Sequence, residues 1–161
     1  MDNYYYCISQ LPMLFFESEA FPTIVNFLQE TEKWLSPVDY AVLSRADMDD
    51  VNLDGKGPEV VQKYKEFEFD LRGDLALWRA NREHRTASFP LSLITEGTPL
   101  EIERNLLKLR WDFVEEMETG HHFDLEALVL FFLKLQILRR LSRFEKEKGL
   151  VAFQRLCEVE I

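Results

Sequence analysis

The sequence predicts an all-α protein, and three features of it carry that prediction. Val60, Tyr64, Phe67, Leu71, Leu75 and Trp78 recur at spacings of 4, 3, 4, 4 and 3 residues, the apolar stripe of a helix with 3.6 residues per turn. Ser36-Pro37-Val38-Asp39 reads as a helix start: Ser36 can cap, Pro37 suits the first helical position, and Asp39 falls near the positive end of the dipole. Leu125 to Lys148 is apolar nearly all round its axis, the mark of a helix at the centre of a bundle. Strand signals are almost absent. The expected architecture is a single helical domain over residues 1–161, a bundle of about five or six helices with internal breaks near 47–58 and 86–98.

Taken in order, Tyr4-Tyr5-Tyr6-Cys7-Ile8 fits either an extended or a helical start that Leu11-Pro12 closes. Pro22 opens a helix through Trp34, with Ile24, Phe27, Leu28 and Leu35 on one side, and the helix capped by Ser36 reaches about Arg45. Asp47 to Pro58, rich in Asp, Asn and Gly, is the clearest break. Pro58 to Arg85 then reads as one long helix, in which Gly73 suggests a closely approaching neighbour. Pro99 starts a helix to about Thr119 whose face is Ile102, Leu106, Leu109, Phe113 and Met117, and Gly120 is its expected stop. Asp124 caps the apolar helix, Gly149 is expected to end it, and a short terminal helix follows from Leu150 to about Glu158.

Composition narrows the function. The formal charge is −10, from 29 acidic and 19 basic residues, which suits neither phosphate neutralisation on nucleic acid nor an anionic membrane surface. The basic run Arg79-Ala80-Asn81-Arg82-Glu83-His84-Arg85 sits where a helix should end, and there cations complement the dipole. Cys7 and Cys157 are expected to be free thiols in a reducing, cytoplasmic setting, with no signal peptide at Met1-Asp2-Asn3. The longest apolar run, Ala127 to Leu133, is seven residues, against about 20 for a membrane span.

No motif points to catalysis or to a cofactor. Asp50-Val51-Asn52-Leu53-Asp54-Gly55 matches the first half of an EF-hand loop, but the twelfth position is Val61 and Glu59 falls too early, so an Asx-rich turn is the expectation and a calcium-responsive regulator the alternative. His121-His122 with Glu118 and Asp124 reads as a polar turn rather than a metal cluster. No nucleophile elbow, phosphate-cradling loop or dinucleotide fingerprint is present, and an enzyme would need residues that meet only in space. Lys134, between Leu133 and Leu135, and Arg110, beside Trp111, need carboxylate partners or a route to water. With Arg72 and Arg79 they are the candidates for a protein interface.

Several strings together resemble a known family. Asn3-Tyr4-Tyr5-Tyr6-Cys7-Ile8-Ser9-Gln10-Leu11-Pro12 is similar to the start of an uncharacterised bacterial family whose genes lie among those of V-type (A-type) ATP synthases. Similar too are Tyr64 to Ala80, Pro99-Leu100-Glu101 with Leu109-Arg110-Trp111, Phe123-Asp124-Leu125, Leu133 to Leu138, and Glu147-Lys148-Gly149. The resemblance implies a non-catalytic accessory, docking or assembly protein of that complex. It further implies kinship with the all-helical socket protein that joins the central rotor stalk to the membrane ring. ATP synthase subunits are the partners so implied, and a cytoplasmic place beside the membrane the location. The chain departs from the socket protein in being much shorter and in lacking arginine-rich sequence after the first tyrosines.

Overall fold

The computed structural model describes residues 3–80 and 96–158. Six helices occupy them: α1 (Asn3–Ser9), α2 (Ile24–Glu32), α3 (Pro37–Arg45), α4 (Glu59–Arg79), α5 (Pro99–Met117) and α6 (Leu125–Glu158), with no strand among the described residues. The expected arginine-rich end of α4 at 81–85 and most of the break at 86–98 lie outside those residues.

The starts of the helices follow local chemistry. Thr23 Oγ1 accepts the Asn26 N–H (3.2 Å), and Ser36 Oγ accepts that of Asp39 (3.2 Å), with Pro37 in the first turn. Thr98 and Glu101 form a reciprocal capping box ahead of α5, for which the spacing Thr98-Pro99-Leu100-Glu101 is the sequence signal. Asp124 Oδ1 accepts the Ala127 N–H (2.9 Å) at the start of α6. After α5 the chain turns at Gly120, whose φ of 90° favours glycine.

α6 is the axis of the bundle. It packs against each of the other five helices, and Leu128, Val129, Leu130, Phe132, Leu133, Leu135, Ile137, Leu138 and Leu141 are all buried. Burial of each such side chain is worth about 1.5–3 kcal/mol, and among the described residues this segment gives the core more buried apolar side chains than any other helix. Phe27 of α2 lies against Phe131 and Phe132, with centroids 5.2 and 5.7 Å away. Tyr4 of α1 donates to Asp39 Oδ2 of α3 (2.5 Å), which pins the first helix to the bundle.

Four expectations need correction. Gly149 does not end the central helix: α6 runs unbroken to Glu158, and no separate terminal helix exists among the described residues. Gly73 is exposed, and a Cβ there would meet nothing within 4 Å, so no close neighbour explains it. The stripe on α4 is buried from Val60 to Leu75, but Trp78 is 46% exposed. On α5 the buried residues are Leu106, Leu107, Arg110, Trp111 and Val114, a seam turned by about one residue, or roughly 100°, from the expected face. That rotation has a cause: α5 lies between two helices. Trp111 of its buried seam meets Lys134 of α6, while Arg110 of the same seam faces Glu68 of α4 and half-buried Phe113 stacks on Phe67 of α4 (4.1 Å, 9°).

Candidate functional site

The polar chemistry gathers where α4, α5, α6 and the loop after α3 meet. Glu68 stands four residues after Tyr64 on the apolar face of α4, so it is carried into the core, where its side chain is 0% exposed. Arg110 answers it from α5, donating from Nε to Oε2 (2.8 Å) and from Nη2 to Oε1 (2.9 Å). Arg72 donates a third bond from Nε to Oε1 (2.9 Å) and reaches the Asp49 carbonyl with Nη2 (3.1 Å). Asp49 then receives Arg140 of α6. A chain of alternating charge, Arg110–Glu68–Arg72–Asp49–Arg140, thus ties three helices and a loop together. Burial alone would pull the Arg110 guanidinium down, but the hydrogen bonds and charge of Glu68 outweigh it and leave it raised. Burial and the Glu68 charge push the Tyr64 hydroxyl far up, and it stays a donor to the Met48 carbonyl (3.1 Å).

Of the four sequence candidates, Arg72 and Arg110 meet at Glu68 Oε1, and Lys134 and Arg79 do not join them. Arg110 faces the interior and is held by Glu68. Lys134 is 5% exposed; it donates to Glu118 (2.8 Å), lies 3.6 Å from Glu115, and sits 4.8 Å over the Trp111 ring. Arg72 is half-exposed yet engaged by Glu68 and Asp49. Arg79 is exposed at the end of α4. They do not converge on one surface.

The loop of 47–58 is a succession of Asx turns, in which Asp47, Asp50 and Asp54 each accept a backbone N–H two residues on. Asp50 and Asp54, the carboxylates of the half EF-hand, both face the Lys65 ammonium at 3.3 and 3.5 Å. An internal cation stands where calcium would. Of the histidine turn, His121 Nδ1 and Asp124 Oδ2 meet at 2.7 Å, and Glu126 is the third group near them. Glu118 turns instead to Lys134, and His122 is exposed. His121, Asp124 and Glu126 could offer one ligand atom each to a metal, although both Asp124 oxygens are already engaged.

Two surface features escape sequence reasoning. Between α3, the following loop and α6 lies a cleft of about 420 Å³ lined by Arg45, Arg139, Arg140 and Arg143; the close spacing of Arg139, Arg140 and Arg143 on one helix is its only sequence signal. Beyond Glu145, which still reaches Arg104 of α5 (3.7 Å), α6 leaves the bundle, and Leu150 (57% exposed), Phe153 (64%) and Leu156 (71%) stand in solvent on one side of it. Reading Gly149 as a stop hides this, because a helix cut there has no long free end.

With α5, α6 and the free helix end placed, one family accounts for part of the chain. A domain of the family described as Protein of unknown function (DUF2764) is present at residues 90–159. The matched stretch holds α5 and the whole of α6, with Arg110, Lys134 and the free helix end. It leaves out α1 to α4, and with them the similar strings at Asn3–Pro12 and Tyr64–Ala80. No curated protein and no solved structure matches the chain. No helix among the described residues is long and apolar enough to cross a membrane.

Proposed function

We propose that this protein is a non-catalytic docking subunit or assembly factor of a V-type (A-type) ATP synthase, held to its partner by the free end of α6. The observation that carries the docking half is the run of exposed Leu150, Phe153 and Leu156 on a helix that has already left its own core. From Lys146 to Cys157 every described side chain is exposed, a projection of about 18 Å at 1.5 Å per residue. Such a face is the form in which a helix enters an apolar groove between helices of another protein, with anchors one turn apart. Hiding each anchor would contribute about 1.5–3 kcal/mol before the cost of association.

The complex itself is named from the resemblance of strings such as Asn3–Pro12 and Leu133–Leu138, which also suggests kinship with the socket protein between rotor stalk and membrane ring. The internal ion pairs support a scaffold role, since the buried cations are held by the protein's own carboxylates and brace the bundle. The calcium-responsive alternative draws no support from a loop whose carboxylates face Lys65. Affinity purification of the tagged chain from its native host tests the assignment: ATP synthase subunits should be recovered, and recovery of none under mild conditions would sink it.

A further inference from the structure

The arginine cleft lies apart from Leu150, Phe153 and Leu156, none of which lines it. On a chain of formal charge −10, four arginines line one concavity. Two carboxylates share it, Asp47 and Asp49, and against four guanidiniums they leave the lining positive by two charges. Asp49 is divided between Arg72 and Arg140, and Asp47 gives an oxygen to the Asp49 N–H (2.8 Å). Arg45, Arg139 and Arg143 are exposed and meet no carboxylate among the described residues. Arg139 and Arg143 stand four residues apart on α6, neighbours on one face, where like charges repel.

The floor beneath them is fixed. Ala46, Met48 and Phe132 are buried, and Gln136 clamps the loop by accepting the Met48 N–H (2.9 Å) and donating to the Ala46 carbonyl (2.9 Å). A bundle that pairs its buried cations so thoroughly leaves Arg45, Arg139 and Arg143 without an ion-pair contact among the described residues, around one hollow of net positive charge.

We propose that this cleft binds a small, multiply charged oxyanion, of the pyrophosphate or tricarboxylate kind. Guanidinium forks match the oxygens of phosphate and carboxylate two at a time. A singly charged ligand would leave part of that excess unanswered, whereas two or three negative charges balance it. The volume of about 420 Å³ lies in the range of small-molecule sites.

Titration calorimetry of the full chain with inorganic pyrophosphate and with citrate is the test. Binding that weakens steeply with added salt is expected for one or both. Pyrophosphate alone assigns the site to phosphates, and citrate alone to carboxylates. The double variant R139Q/R143Q should weaken binding about tenfold or more without lowering its melting temperature, because neither side chain has an ion-pair partner among the described residues. Arg79→Gln, outside the cleft, should leave binding as it is. Absence of heat with both probes at millimolar concentration overturns the proposal. So does equal binding by the double variant, equal weakening by Arg79→Gln, or binding of an acidic peptide when both small anions fail.

Discussion

Arg110 and Glu68 face each other across the α4–α5 interface as a two-pronged ion pair, and the carboxylate has no contact with solvent. Removing one member leaves the other charged and buried, at a cost of about 3–5 kcal/mol. Glu68→Ala should therefore lower stability by that amount in urea denaturation. Glu68→Leu combined with Arg110→Met should recover most of it, because paired apolar replacements abolish the desolvation cost on both sides. A double variant no better than Glu68→Ala would contradict a simple pair.

Gln136 holds the loop that follows α3 through two backbone bonds. Gln136→Leu orphans the Met48 N–H and the Ala46 carbonyl, and each orphaned group costs about 1–3 kcal/mol. Hydrogen exchange should show the Met48 amide losing protection first; unchanged protection there would argue against the clamp.

Much of this is legible in the sequence, and the parts that are not share a cause. Ser36-Pro37-Val38-Asp39 and the stripe from Val60 to Leu75 are local signals, so caps and faces can be read directly. The apolar girth of Leu125 to Leu141 likewise announces a central helix. The true seam of α5 is hidden because two neighbours divide that helix, and spacing alone does not rank half-buried faces. Gly149 misleads because a glycine stops a helix only where the chain needs φ > 0, and here it does not. The arginine cleft needs Arg45 brought beside α6, a tertiary fact that no window of sequence contains.

Gly149 and Gly73 both lie in helical backbone with open space around a notional Cβ. Gly73→Ala should stabilise the protein by about 0.5–1 kcal/mol in thermal or chemical denaturation. Gly149→Ala should raise helicity by circular dichroism. A fall in helicity would restore Gly149 as a helix stop.

Cys7 is buried and Cys157 exposed. Burial, helped by the Glu30 charge, pushes the Cys7 thiol up from 9.0 to about 11. The folded state therefore holds this proton more tightly than the unfolded chain. The resulting stabilisation is complete below pH 9 and is lost as pH rises toward 11. Stability should fall across that window by less in Cys7→Ala than in the parent protein. At pH 8 a thiol reagent should label Cys157 quickly and Cys7 only after unfolding.

Docking through the free end of α6 onto a V-type ATP synthase is tested most directly by parallel purification, from the native host, of the tagged protein and of Leu150→Glu/Phe153→Glu. Both positions are exposed in the folded chain, so the variant should fold as the parent does, as circular dichroism would verify. ATP synthase subunits should accompany the parent and be lost from the variant. Equal recovery with both would contradict the helix end as the docking face. A parent protein that brings down no ATP synthase subunits, or that self-associates through this face by light scattering, would contradict the partner.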